Sequence, residues 1–189
     1  MNWNCILERV AQTESTNDDL MARWRSRELI DPVSRLAKHQ TKGKGRAGRQ
    51  WFAEPNSSLS FSLAYPFNQP QQFLYGLSLV CGLAVIQGIS KSLGLDEMNL
   101  RQHGLSLKWP NDLVVADGPL ADRKLAGILA ESHVVKGKVD AVVVGMGLNL
   151  NWPAELPADI ASTATAVNHV TGQPVDREQV LVEWLHRYE

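Results

Sequence analysis

The sequence predicts an α+β domain: a mixed, largely antiparallel central sheet with helices packed on it. Three observations point there. The apolar runs Leu105 to Lys108, Leu113 to Val115, Lys124 to Val134 and Val139 to Met146 follow one another closely in the second half of the chain. Asp117-Gly118 and Lys136-Gly137 punctuate them as tight turns, which favours neighbouring antiparallel strands over helical crossovers. Helix-period stretches lie on either side of these runs, and 189 residues at 44% hydrophobic and 21% charged suit one buried core, a single domain over 1–189.

Taken in chain order, Ser15-Thr16-Asn17-Asp18 offers a helix cap and an acidic first turn. Leu20 and Trp24 follow at helical spacing until Asp31-Pro32, which predicts a short helix over roughly 16–28. Val33 to Lys38 reads as a strand. It delivers the segment Gln40 to Trp51, whose three glycines and cations Lys42, Lys44, Arg46 and Arg49 make it a loop. Leu59, Phe61, Leu63 and Tyr65 alternate with small or polar residues, the mark of a strand with one buried face. Residues 70–93 place Phe73, Leu77, Val80, Cys81, Ala84, Val85 and Ile89 on one helical stripe, with Gly94 as a left-handed cap. A last amphipathic helix starts near Asp176 and turns Val180, Leu181, Trp184, Leu185 and Tyr188 inward.

The net charge of −1 excludes little, but its distribution is informative: between Asp31 and Glu54 there are six Lys and Arg residues and no acid. That clustering fits a local anion site better than a nucleic-acid-coating surface. Cys5 and Cys81 show neither C-x-x-C nor metal-ligand spacing, so both are expected reduced and structural. Charges near the N-terminus exclude a signal peptide, and Gly, Gln and Ser break the apolar stretches below the length of a membrane span. A cytoplasmic protein is expected.

Gly43-Lys44-Gly45-Arg46-Ala47-Gly48-Arg49 formally matches the dinucleotide fingerprint G-x-G-x-x-G. That fingerprint needs a helix at its third glycine and an acid about 20 residues on. No acid lies between Glu54 and Asp96, and Arg49-Gln50 stands where a P-loop needs Lys and Ser or Thr. The loop nonetheless combines glycines, which admit a ligand to the backbone, with Lys44, Arg46 and Arg49, which match phosphate and carboxylate oxygens. A solvated basic turn is the plainer alternative. In Lys108-Trp109-Pro110-Asn111-Asp112-Leu113, Pro110 breaks the ladder and turns Asn111 and Asp112 outward. Arg123-Lys124-Leu125-Ala126-Gly127-Ile128-Leu129 sets an ammonium at a strand start, and Gly127 leaves room for a flat ligand. Gly145-Met146-Gly147-Leu148-Asn149 ends an apolar strand with small residues and an amide, a pattern that a simple bulge would also give.

Together, Glu-Ser-Thr-Asn (14–17), Gln40 with the Gly/Arg loop and Trp51 (43–51), Lys-Trp-Pro-Asn-Asp-Leu (108–113), Arg-Lys-Leu-Ala-Gly-Ile-Leu (123–129) and Gly-Met-Gly-Leu-Asn (145–149) resemble the biotin–protein ligases in order and spacing, over about residues 13–188. The resemblance implies ATP-dependent conversion of biotin to biotinyl-5′-adenylate, with Mg²⁺ on the leaving pyrophosphate, and transfer to a lysine of a biotin carboxyl carrier protein. It implies Lys124 and Arg46 as the catalytic cations, with Asp112 at the metal or the acceptor lysine. By the same resemblance Ser15, Thr16, Asn17, Gln40, Lys44, Gly45, Arg46, Lys124, Gly127 and Gly145 line the biotin pocket. Arg46, Arg49, Trp51, Asn111, Lys124 and Asn149 fall on the nucleotide side. Lys44 and Ala47 depart from the residues common in the loop, and Lys44 keeps the charge without the bidentate fork.

The family's small C-terminal SH3-like domain is expected to be absent or truncated here, and the DNA-binding domain that some members carry is not expected either. Neither nucleic acid nor membrane is an expected partner, and a homodimer is a family-based expectation. Two rivals remain: a lipoate or octanoate ligase or transferase of the same architecture, and a non-catalytic module that holds biotin or its adenylate.

Overall fold

A computed structural model describes residues 5–53, 55, 57–153, 155 and 157–187. The elements are β1 (Ile6–Thr13), α1 (Thr16–Arg25), β2 (Val33–Gln40), β3 (Ser58–Pro66), α2 (Leu77–Leu93), α3 (Glu97–Gln102), β4 (Leu105–Lys108), β5 (Asp112–Val115), β6 (Lys124–Val135), β7 (Lys138–Asn149), α4 (Ala158–Thr163), α5 (Val167–Thr171) and α6 (Arg177–Arg187). The strands form a seven-stranded sheet in the order β1-β2-β3-β7-β6-β5-β4. β1 and β2 run parallel and the remaining neighbours antiparallel, the mixed sheet that the sequence predicts.

Side chains alternate along a strand, so the register sorts the sheet into two unlike faces. On one face Leu59, Phe61 and Leu63 of β3, Val142, Val144, Met146 and Leu148 of β7 and Ala126 and Ile128 of β6 are buried beneath α2 and α6. The edge of the Trp184 indole meets the Phe61 ring at 4.9 Å between centroids, and its Nε1 donates to the Cys81 carbonyl at 3.2 Å. Gly88 lets the two helices close, since a β-carbon there would stand 3.2 Å from the Val180 carbonyl oxygen. On the opposite face, Leu20, Met21 and Trp24 of α1 pack on Val33, Ala64, Ala141 and Val143 in a second, smaller cluster.

Several expectations change. β3 is buried on both faces, because it is a central strand and α1 covers the side that alternation assigns to solvent. α1 ends at Arg25, where Ser26 caps it and Arg27 turns left-handed at φ 61°. Phe73 and Val80 are each 61% exposed and leave the inward stripe of the 70–93 stretch, whose first part is a separate short turn over Gln71–Leu74. Gln71–Leu93 is, by length and composition, apolar enough to cross a membrane, so the interruptions by Gly, Gln and Ser do not shorten it as expected. Its inner face nonetheless packs Cys81, Val85 and Ile89 into the core. Asp117-Gly118 is part of a longer β5–β6 connection containing the turn Gly118–Leu120, not a two-residue hairpin.

Gly94 caps α2 in the left-handed region as predicted, at φ 64°. In α6, Val180, Leu181 and Trp184 are buried and Leu185 packs partly against them; Tyr188 lies outside the described residues. The Lys136-Gly137 hairpin turn forms with both residues at positive φ, 48° and 78°. Beyond it the β6–β7 pairing slips by one residue, leaving Asp140 unpaired between Val139 and Ala141. The Trp24 Nε1–H donates to Asp140 Oδ2 at 2.9 Å, and this bond is the main reason the carboxyl is held below its ordinary range.

Candidate functional site

Towards the other end of that second sheet face the side chains shrink. Ser58, Ser60 and Ser62 of β3 lie beside Asn149, Gly147 and Gly145 of β7, and Gly147 and Gly145 lie beside Gly127 and Leu129 of β6, with Glu131 next on the same face opposite Val143. Six of these ten positions are Ser or Gly, so the sheet carries a trough where the neighbouring face carries a core. The first turn of α1, the 43–51 loop and the segment running into α4 wall the trough into a cleft of about 380 Å³.

One end of the cleft is built from neutral oxygens. Ser15 caps α1 by accepting from the Asp18 N–H at 3.4 Å, which sets Thr16 and Asn17 at the floor. The Thr16 backbone N–H donates to Gln40 Oε1 at 2.8 Å, and its hydroxyl lies 2.9 Å from the same oxygen. Thr16 Oγ1 also lies 2.7 Å from Ser62 Oγ, which lies 2.6 Å from Asn17 Oδ1. Those three oxygen–oxygen contacts share only two hydroxyl protons, so the cluster is short of donors in a place where Thr16, Asn17 and Ser62 are 2%, 4% and 0% exposed. Leaving buried lone pairs unmatched is unfavourable, and a ligand bringing N–H groups would relieve it.

The other end is cationic. Lys124 Nζ sits 2.6 Å from Asp112 Oδ1 and 5.3 Å from the centroid of the Trp51 ring. Arg46 Nη1 reaches Asn111 Oδ1 at 3.5 Å, and the Asn111 amide donates to the Ile128 carbonyl at 2.8 Å. Asn111 is thus buried against the cleft and not turned to solvent as the sequence suggested; the outward residue of that turn is Trp109, 80% exposed and joined to Pro110 by a cis peptide bond. Lys44 and Arg49 also line the cleft, and the Asp18 carboxylate 2.6 Å from Lys44 Nζ holds that ammonium above its ordinary pKa.

Between the two ends, the indole of Trp51 lies on bare backbone. A β-carbon at Gly147 would fall on its Cε2 and Nε1, and one at Gly127 would come within 3.0 Å of its Cζ3. The room that the sequence assigns at Gly127 to a ligand is therefore taken by the protein's own aromatic ring. Trp51 Nε1 and Asn149 Oδ1, both at the cleft, are buried without hydrogen-bond partners among the described residues.

The structure thus brings Ser15, Thr16, Asn17, Gln40, Lys44, Gly45, Arg46, Arg49, Trp51, Asn111, Lys124, Gly127, Gly145 and Asn149 to one cleft. Asp112 stands behind Lys124 as its counter-ion. Sequence reasoning missed Ser62, whose Ser-x-Ser-x-Ser spacing was the available signal, and Trp152, Asp159, Ile160 and Thr163 of the far wall, which carry no spacing signal. Among the described residues no group of three or more His, Cys, Asp or Glu side chains is placed to hold a metal ion.

The fold and the cleft define a domain with a donor-poor oxygen cluster at one end of its cleft and cations at the other, under a glycine-rich cationic loop. The chain belongs to the biotin/lipoate A/B protein ligase family, whose profile matches residues 10–149. It is 35% identical over 184 residues to the biotin--[acetyl-CoA-carboxylase] ligase of Mycobacterium tuberculosis, covering 97% of this chain and 62% of that protein. The biotin protein ligase of Aquifex aeolicus, solved in complex with biotin and ATP, superposes with a TM-score of 0.70 at 30% identity, over 96% of this chain and 68% of that one. The Leishmania major biotin protein ligase solved with biotinyl-5-AMP shares the fold, with a TM-score of 0.76 at 22% identity, over 96% of this chain and 72% of the other.

Proposed function

We propose that this domain activates biotin with ATP to biotinyl-5′-adenylate and passes the biotinyl group to a lysine of a biotin carboxyl carrier protein. The observation that carries the reading is the division of one cleft into a donor-hungry oxygen cluster and a cationic end. Biotin has that same division, with a ureido head bearing two N–H groups and a tail ending in a carboxylate. The ureido N–H groups would donate to the Thr16, Gln40, Ser62 and Asn17 oxygens, and the tail would run along the Gly145 and Gly127 backbone towards Lys124. The similarity to ligases that bind biotin and ATP supports this assignment.

Adenylation brings two anions together. A biotin carboxylate oxygen attacks the α-phosphorus of ATP, and the bond from that phosphorus to the bridging oxygen of pyrophosphate breaks. Charge grows on the α-phosphate oxygens as this happens, so cations already fixed beside them lower the barrier without having to reorganise. Lys124, held by Asp112, is such a group. Arg46 and Arg49 bring further charge from the loop, while the unpartnered Asn149 Oδ1 is an acceptor for the adenine amino group. Mg²⁺ would neutralise the leaving pyrophosphate, and Asp159, which lines the cleft, would be a carboxylate in reach of it. In the second step the carrier's lysine amine attacks the biotinyl carbonyl, loses a proton, and displaces AMP. The loop and Trp51 would keep water from the anhydride until the carrier arrives.

The test is pyrophosphate release by the purified chain given ATP, Mg²⁺ and either biotin or lipoate, with Lys124→Ala as control. Biotin-dependent release that disappears in the variant is the expected result. Release with lipoate alone would move the assignment to a lipoate ligase, and biotin binding without release would make the chain a binding module.

A further inference from the structure

We infer that Glu131, which does not line the cleft, is a positioning residue for biotin: it fixes which end of the Asn17 amide faces the ligand. The inference rests on the ligase reading above. A carboxamide is nearly symmetric in shape but opposite in chemistry at its two ends, so its orientation needs a neighbour that distinguishes oxygen from nitrogen. Glu131 is that neighbour. Asn17 Nδ2 donates to Glu131 Oε2 at 2.7 Å and, at 3.4 Å, towards the Leu129 carbonyl. An ionised carboxylate only accepts, so it binds the NH₂ end and refuses the carbonyl end.

With both Nδ2 protons directed away from the cleft, Asn17 Oδ1 faces Ser62 and lies over Gly145, where a β-carbon would collide with it. The oxygen cluster consequently presents an acceptor at this point. Were the amide to turn over, an NH₂ group would confront the ligand's N–H, and one attractive contact would become a repulsive one. Glu131 sits on β6 opposite Val143, so its reach to Asn17 is set by the sheet and not by a mobile loop.

Biotin binding by calorimetry and pyrophosphate release as a function of biotin concentration, on the whole chain, test this. Glu131→Val keeps a strand-forming residue and removes the acceptor; Glu131→Ala serves if Val does not melt cooperatively. Either is expected to weaken biotin binding roughly tenfold, the scale of one hydrogen bond. KM for biotin should rise while kcat at saturating biotin and KM for ATP hold. Glu131→Gln, whose carboxamide can turn either its oxygen or its NH₂ to Asn17, no longer refuses the carbonyl end and is expected to weaken biotin binding, by no more than Glu131→Val does. Because Glu131 acts through Asn17, the Asn17→Ala/Glu131→Val double variant should bind no more weakly than Asn17→Ala alone.

Parent-like binding by Glu131→Val overturns the inference. So does parent-like binding by Glu131→Gln, and so does simple additivity in the double variant. If the parent chain neither binds biotin nor releases pyrophosphate with it, the ligase reading itself falls and takes this inference with it.

Discussion

Substituting Gly147 by Ala tests how the cationic loop is held to the sheet. The Trp51 indole rests on Gly147 and Gly127, and a methyl group at 147 would occupy the position of its Cε2 and Nε1. The β7 backbone is central to the sheet and cannot yield, so the indole must leave. A Trp side chain buries about 200 Å² when fully covered, and this one is at least about two-thirds covered, so its release exposes about 130 Å², or about 3 kcal/mol at about 25 cal/mol per Å². Among the described residues the remaining ties include the Trp51 N–H to Gly43 carbonyl bond at 2.8 Å, the Gly45 N–H to Arg49 carbonyl bond at 2.7 Å, the exposed Lys44–Asp18 pair and the Arg46–Asn111 contact at 3.5 Å. These polar contacts are what hold the loop once the indole is displaced. The population of the open loop should then rise roughly two-hundredfold. Limited trypsin digestion followed by mass spectrometry reads that population through cleavage after Lys44, Arg46 and Arg49, provided opening is fast relative to cleavage. Cleavage at Lys136 and Lys138, in the distant β6–β7 turn, controls for global destabilisation. Loop cleavage within about twofold of the parent chain would refute the claim that the indole is the anchor.

Two further outcomes follow from the packing and the charges. Trp184→Ala removes a side chain 1% exposed that meets Phe61 and hydrogen-bonds the Cys81 carbonyl, and should cost about 3–5 kcal/mol, read as a lower denaturant midpoint. Glu8 is partly desolvated, which on its own would raise its pKa, but the hydrogen bonds and charges of Arg23 and Arg35, each at 2.8 Å, outweigh burial and hold it below the ordinary 4.5. A depressed carboxyl pKa adds stability that is complete above the unfolded value and is lost as pH falls through the folded one. Glu8→Gln should therefore be less stable at pH 7, by about 1 kcal/mol. The gap in thermal midpoint should close as pH drops below about 4.5, and a gap that widens on acidification would contradict the assignment.

Most of the sheet was legible because its strands announce themselves by local rules. The antiparallel run from β4 to β7 is joined by turns, and the Lys136-Gly137 pair tolerates the positive φ that its hairpin needs. β1 was not legible, since Ile6 to Thr13 carries Glu8 and Arg9 where alternation would show an apolar face. Those charges are matched only in the fold, Glu8 by Arg23 and Arg35 and Arg9 by Glu178 at 2.7 Å. The site residues were legible as motifs, but the trough was not. A serine on β3 is polar in sequence, and it takes the register against β7 and the cover of α1 to make Ser62 part of a buried oxygen cluster. Phe73 and Val80 misled in the opposite way, since apolar spacing alone cannot say where a helix begins.

The unpaired Asp140 has a wider consequence than its bond to Trp24. Strand side chains alternate with a period of two, so one supernumerary residue inverts the parity of everything beyond it. Counting from the hairpin turn, Asp140 is what sends Gly145, Gly147 and Asn149 to the cleft and Val144, Met146 and Leu148 to the core. Were Asp140 instead paired with His133 in an unbroken ladder, every later pair would move by one, Gly145 would stand opposite Ile128 on the core face, and Val144, Met146 and Leu148 would turn to the cleft. The chemistry of the cleft thus depends on one residue being left out of the ladder several positions away.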